Sequence, residues 1–247
     1  MNTLINADCL NYLRHNNQTW DTLFADPPDG IGLNYNQYND HIPFDQYINL
    51  LRVWLHCFIH HAKTVWFSYN AKWSFEVGRI IVEMLEVNKD IEAKPCVQVF
   101  TFGQHRQNDL GNNHRPLLRL RWRSASLFPD AIRVASWRQE HGDKRADPRG
   151  RIPGDVFDVP RVTGNSKERR SWHPTQLGER LVARCILLTT PEGGTVCDPF
   201  AGTGTTLRVC KRINRPCTLV EIDPLYCAKI AEEHKLIPTD AYHWESV

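Results

Sequence analysis

Two short segments of this chain carry residue types that could do chemistry together. Asp26-Pro27-Pro28-Asp29 follows one apolar run, and Asp198-Pro199-Phe200-Ala201-Gly202-Thr203-Gly204-Thr205-Thr206 follows another. Two consecutive prolines cannot continue a strand ladder or enter a helix interior, so they make a rigid turn. Pro27 also pushes Asp26 toward an extended backbone. Such a turn holds the Asp26 carboxylate and the Pro27 carbonyl as two fixed acceptors. Two acceptors side by side suit a planar amino group, which has two hydrogens to donate.

The second segment has a different chemistry. Gly202 and Gly204 let the backbone turn tightly and approach a ligand. A helix after them offers unpaired N–H groups at its start. About twenty residues further on, Glu221 ends the next apolar run, where an acidic residue accepts hydrogen bonds from ribose hydroxyls. Taken alone the glycines fit any tight turn in an α/β unit. Asp198, Phe200 and Glu221 in the same unit point to a ribose-bearing cofactor. Leu207 stands where a dinucleotide fingerprint has its third glycine, which argues against a nicotinamide or flavin.

These segments need a scaffold, and the apolar spacing supplies one. Thr22–Ala25 and Thr64–Phe67 have the pattern of short buried strands, and Val97–Phe100 of another. Residues 44–62 and 73–86 have helical apolar spacing. After Gly103 the pattern breaks. From there to Trp172 the chain is rich in Arg, Pro, Gly and Asn, with Leu118–Trp122 alternating like a half-exposed strand and Ala131–Val134 less cleanly so. Regular structure resumes with a helix from Thr175 to about Leu188. It continues with strand Thr195–Cys197, a helix over 205–213, strand Cys217–Val220 and a helix from Pro224 to about His234, with Pro224 in its first turn. Strands alternating with helices predict an α/β, Rossmann-like, doubly wound and mostly parallel sheet.

The chain has 247 residues, 41% hydrophobic and 23% charged, an ordinary globular balance. No apolar run is long enough to cross a membrane, and the N-terminus lacks the pattern of a signal peptide. The eight cysteines have no Cys-x-x-Cys spacing, so the sequence supports neither a zinc site, nor any other metal, nor a disulfide framework. Reduced thiols in a cytoplasmic compartment are expected. The net charge is +2, unevenly placed: residues 103–171 hold fifteen Lys/Arg against eight Asp/Glu, a balance of +7, leaving −5 elsewhere. A basic segment in an otherwise acidic chain fits a phosphate-backbone contact surface, and equally a solvated Arg-rich insertion.

Together these residues resemble the beta class of S-adenosylmethionine-dependent DNA amino-methyltransferases. That family has Asp/Asn/Ser-Pro-Pro-aromatic paired with a Phe-x-Gly-x-Gly loop, here in the circularly permuted order with the Pro-Pro motif first. The resemblance covers nearly the whole chain. It implies a catalytic half at 1–102, a target-recognition insert at 103–171 and a cofactor half at 172–247. It implies catalytic roles for Asp26, Pro27, Pro28 and Asp29. Asn6-Ala7-Asp8-Cys9-Leu10 is similar to the early acidic motif, which places Asp8 near the cofactor adenine. Trp172-His173-Pro174-Thr175-Gln176 is similar to the segment before the cofactor strand, which places His173 and Thr175 near the methionine end. Asp198, Phe200, Gly202, Gly204 and Glu221 complete the implied cofactor set.

Two positions depart from the family pattern. Asp29 replaces the aromatic that stacks on the flipped base, with Tyr35 and Tyr38 nearby as substitutes. Leu177-Gly178 replaces Lys-Pro. The implied reaction moves a methyl group from the sulfonium to an exocyclic amino group of a flipped base, adenine N6 ahead of cytosine N4 because Asp leads the motif. Acceptors at Asp26 and Pro27 would draw the amino hydrogens out of plane and restore lone-pair density, with no cysteine nucleophile needed. Double-stranded DNA is the expected partner, gripped by the Arg-rich insert with Trp122, Trp137 and Trp172, and a homodimer is expected from the resemblance. The competing readings are methylation of RNA or protein glutamine, a DNA-binding relative impaired by Asp29, and, last, a nicotinamide oxidoreductase.

Overall fold

The central strands of the sheet send side chains into two separate apolar cores. In β2 (Trp20–Ala25), Leu23 and Ala25 face one core and Phe24 the other; in β3 (Ala62–Ser68), Val65 and Phe67 face the first and Trp66 the second. Helices cover both faces, so the strands read as continuous apolar runs rather than clean alternation. The computed structural model describes residues 1–100 and 106–240. The expected boundary at residues 102–103 therefore lies outside the described residues, as do 241–247.

Among the described residues the sheet has nine strands in the order β6-β4-β5-β3-β2-β7-β8-β1-β9. The others are β1 (Thr3–Asn6), β4 (Ile91–Val99), β5 (His114–Trp122), β6 (Val156–Asp158), β7 (Val196–Asp198), β8 (Cys217–Glu221) and β9 (Thr239–Asp240). Pairings are parallel except along β5, which is antiparallel to β3 and β4. The helices are α1 (Cys9–Arg14), α2 (Phe44–His61), α3 (Ser74–Val87), α4 (Trp137–Glu140), α5 (Glu179–Thr189), α6 (Thr205–Arg212) and α7 (Pro224–His234). None of the described helices is long and apolar enough to cross a membrane.

The two ends of the chain meet where β2 pairs with β7, Thr22 opposite Val196 and Leu23 opposite Cys197. Helix α2 packs on the first core through Leu51, Leu55 and Phe58, and α6 on the second through Leu207, Val209 and Cys210. The connections after β2 and β7 thus leave on opposite faces. Their carboxyl ends open a crevice at a switch point of the doubly wound sheet.

Several expectations are corrected. Leu118–Trp122 is not a half-exposed strand. It belongs to β5 inside the sheet, where Leu117, Leu118 and Leu120 are buried and Arg119 and Arg121 pair with Glu92. β5 is covered on both faces, so its arginines need an internal carboxylate rather than water. Ala131–Val134 is not a strand either. Pro129 opens a short 3-10 turn over Pro129–Ile132, and Val134 makes only an isolated bridge to Arg151. Trp122 is not at a surface that could grip phosphates: its indole packs on the first core and donates to the Ile59 carbonyl at 2.8 Å. Trp172 packs on the second core, and Trp137 is exposed, stacked on His141. The helix expected from Thr175 begins four residues later at Glu179, because His173–Leu177 line the crevice instead.

A buried hydroxyl chain ties the two halves under the sheet. Thr190 donates to the Thr22 hydroxyl at 2.8 Å, which lies 2.8 Å from the Thr189 hydroxyl, which donates to the Cys185 carbonyl at 2.9 Å. The Trp66 indole donates to Thr189 at 3.2 Å. Thr22→Val keeps the shape, takes the acceptor from the buried Thr190 hydroxyl and removes one contact of Thr189. It is expected to cost about 1–3 kcal/mol in urea unfolding.

Candidate active site

The Asp26–Asp29 turn is held rigid from outside. Tyr47 donates to the Pro28 carbonyl at 2.5 Å, and the Trp73 indole donates to the Asp29 carbonyl at 2.7 Å. The Pro27 carbonyl takes no hydrogen bond from the described residues, and Pro27 lines a cleft. Gly30 follows with φ of +62°, and a Cβ there would lie 2.6 Å from the Tyr47 ring. The loop beyond is organised by Asp40, buried to 1% exposure, which accepts from the Gly30, Ile31 and Leu33 amides at 2.8, 3.1 and 2.9 Å. The loop is latched to the other half of the chain at Asn36. Its amide donates to the Tyr226 hydroxyl at 3.2 Å and its side chain to Asp223 Oδ1 at 3.2 Å.

Asp26 does not stand alone. The Arg115 guanidinium donates to Asp26 Oδ1 at 2.8 Å and to Asp29 Oδ1 and Oδ2 at 2.9 and 3.2 Å. Arg115 also donates to the Ser68 hydroxyl at 2.7 Å. Burial pushes the Asp26 carboxyl above the ordinary range; Arg115 pulls it down and Asp29 pushes it up. Asp29, in the place of an aromatic, is thus the partner of a half-buried arginine.

The second segment forms the floor of a pocket of about 110 Å³. Asp8, Asp26, Pro28, His173, Thr175, Asp198, Phe200, Gly202 and Glu221 all line it. Pro27 and Asp29 line the adjoining cleft instead. Gly204 is outside the pocket lining. Its φ of +72° starts α6, and a Cβ would meet Ile230 at 3.4 Å, so it shapes the loop from behind. Glu221 accepts from the Gly202 and Asp223 amides at 2.7 and 3.0 Å. Asp198 accepts from the Phe200 amide at 2.9 Å, and Asp8 caps α1 through the Asn11 amide at 2.9 Å. His173 Nδ1 donates to the Thr175 carbonyl at 2.6 Å, and burial drives its ring pKa down to about 4, so the ring is neutral.

Burial raises both Asp198 and Glu221 to about 7. Two buried polar atoms of the lining, Tyr38 Oη and Asp223 Oδ2, have no hydrogen-bond partner among the described residues. The lining carries five carboxylates, of Asp8, Asp26, Asp198, Glu221 and Asp223, and among the described residues no Lys or Arg. The neighbouring cleft, of about 730 Å³, is basic, with Lys72, Arg106, Arg115, Arg161 and Arg169 on its walls. The two share Asp26, Tyr35, Thr175, Gln176 and Leu177. Tyr35 thus stands between them, whereas Tyr38 lines the acidic pocket alone. Arg115, Ser68, Asp40, Asn36, Asp223 and Tyr226 had no sequence signal. Each acts on a residue far along the chain or within an irregular loop.

The sheet brings the acidic end of β8 and the Pro-Pro turn after β2 to one crevice. A family model described as DNA methylase, N6_N4_Mtase, matches residues 20–233, and the chain belongs to that family. It is similar to the type II methyltransferase M.HpaI of Haemophilus parainfluenzae, 28% identical over 83% of this chain and 65% of that protein. It is similar to the DNA adenine methyltransferase YhdJ of Escherichia coli K12, 28% identical over 91% of this chain and 79% of that one. Its fold matches the cytosine-N4-specific PvuII DNA methyltransferase with a TM-score of 0.72 at 14% identity, over 94% of this chain and 87% of that one. The chain therefore spans about two thirds of the length of M.HpaI.

The raised Asp198 has a consequence for stability. Between its ordinary pKa of 3.8 and the folded value of about 7, the unfolded chain has released the proton and the folded chain has not. Stability from this group therefore falls as pH rises across that window. Asp198→Asn keeps the acceptor for Phe200 and removes the titration. It is expected to melt higher than the parent at pH 8 and within error of it at pH 4, as read by calorimetry without ligand.

Proposed function

We propose that this protein transfers a methyl group from S-adenosylmethionine to an exocyclic amino group of a base in DNA, adenine N6 in the first place. The observation that carries the proposal is the separation of charge. An acidic pocket without a cation opens at Asp26 onto a larger basic cleft. A sulfonium with an ammonium group suits the first and a polyanion the second. A dinucleotide with its diphosphate would meet five carboxylates, which counts against an oxidoreductase.

The pocket residues fit the cofactor. Glu221 faces the ribose hydroxyls, and the unpartnered Asp223 Oδ2 and Tyr38 Oη supply positions for polar groups of the ligand. Phe200, held edge-on to Trp54 at 5.2 Å, gives the wall its apolar side. His173, kept neutral, adds no charge against a cationic ligand. When bound, the cofactor supplies a methyl carbon whose bond to sulfur breaks as its bond to the amino nitrogen forms. Asp26 and the Pro27 carbonyl accept the amino hydrogens, hold the nitrogen lone pair out of conjugation and face the positive charge that develops there. Extruding the base costs about a few kcal/mol, offset by phosphate contacts along the cleft. Lys72, Arg161 and Arg169 line that cleft and are in no ion pair among the described residues, so they are the cations on hand for phosphates.

Adenine and cytosine-N4 enzymes both occur among the similar proteins, so the test must separate them. Radiolabelled S-adenosylmethionine and unmethylated mixed-sequence DNA, followed by digestion to nucleosides, is expected to put label in N6-methyladenine. Label in N4-methylcytosine moves the target; label in neither overturns the proposal. Asp26→Ala is expected to lower transfer about a thousandfold, with cofactor affinity nearly intact. Glu221→Ala is expected to weaken cofactor affinity about tenfold or more. Calorimetric titration checks both.

A further inference from the structure

β5 runs against its neighbours, so its first residues reach the edge where the parallel strands end. Arg115, second in β5, therefore arrives beside Asp26 and Ser68 from a segment 89 residues further along the chain than Asp26. Its fork is almost fully used: Nε on Ser68, Nη2 on Asp26 and Asp29, Nη1 on Asp29. One carboxylate would neutralise this arginine, yet it has two. The trio carries a net charge of −1 when all three are ionised. Arg115 paired with Asp26 alone would be neutral, a poor counterpart for a cation forming on the amino nitrogen. Asp29 takes up the arginine's charge, so Asp26 is held by a hydrogen bond without its own charge being cancelled. A long side chain lacking that tether would also be free to reach for a phosphate in the cleft.

We propose that Arg115 is a positioning residue that fixes Asp26, and that Asp29 is its tether and charge balance rather than a group that touches the base. The proposal rests on Asp26 being the amino acceptor. It turns the departure from an aromatic at position 29 into a working part of the site.

The groups facing Asp26 are Arg115 from β5, Asp29 from its own turn, Ser68 from β3, Asp198 from β7 and Tyr35 from the following loop, with His173 across the pocket. Arg115 and Asp29 act on its ionisation with opposite sign. The test is the pH dependence of kcat at saturating S-adenosylmethionine and DNA. Cofactor affinity is measured separately at each pH, so that titration of Asp198 and Glu221 is set apart. Arg115→Gln is expected to move the acidic limb of kcat upward by about one pH unit or more, and Asp29→Asn to move it downward. Asp29→Asn is also expected to lower the plateau about tenfold, because the neutral pair stabilises the transition state less. Arg115→Lys is expected to return the limb toward its parental position.

Loss of packing alone would lower melting temperature without opposite shifts. Limbs that stay in place, or that move the same way, overturn the proposal. If Arg115→Gln does not fold, the direction of the Asp29→Asn shift decides. A parent protein that binds S-adenosylmethionine but transfers no methyl at any pH overturns the methyltransferase reading, and this inference with it.

Discussion

The parallel pairing of β2 with β7 is the constraint on which the site depends. It joins Leu23 to Cys197 across most of the chain and sets the Asp26 turn beside the Asp198 loop. Neither segment forms the crevice alone: Asp26 and Pro28 of one and Asp198, Phe200 and Gly202 of the other line the same pocket. With α2 covering one face and α6 the other, backbone leaves the edge in both directions and leaves room between. The Thr22–Thr189–Thr190 hydroxyl chain fastens β2 to the end of α5. The crevice is thus a by-product of how the sheet is wound.

Charge is sorted around that crevice more sharply than the composition suggests. Many basic side chains of residues 103–171 are ion-paired: Arg133 with Asp130, Arg145 with Asp143 and Arg149 with Asp147 inside the segment, and Arg119 and Arg121 with Glu92 and Arg170 with Glu233 outside it. What lines the cleft is a smaller set. On the pocket side, Asp198 and Glu221 are buried carboxyls that resist ionising without a cation. That is a cost in the ligand-free fold, and a positively charged ligand would relieve it.

Much of the scaffold was legible because it follows from local rules. The spacing of Tyr47, Leu51, Leu55 and Phe58 marks α2 to within a residue, and Pro224 marks the start of α7. Asp198, Gly202 and Glu221 could be assigned together because a strand, a tight turn and a helix put them at fixed short distances. β1 and β9 were missed, being four and two residues long, too short for a period to show. β5 was read as half-exposed because alternating Leu and Arg is the pattern of a strand with one wet face. The sequence could not reveal that Glu92 waited on the neighbouring strand.

The sequence by itself determined the doubly wound α/β class and the Pro-Pro turn and, through motif resemblance, the family and four of the five acidic residues of the pocket. The class and the turn follow from side-chain type and backbone sterics acting within some twenty residues. Tertiary structure decided what Asp29 does. Whether that carboxylate points into the site or is consumed by a partner depends on Arg115, 86 residues away, and on β5 running antiparallel so that its first turn of residues meets the Asp26 edge. Electrostatic partners are chosen by distance in space, and sequence records only distance along the chain.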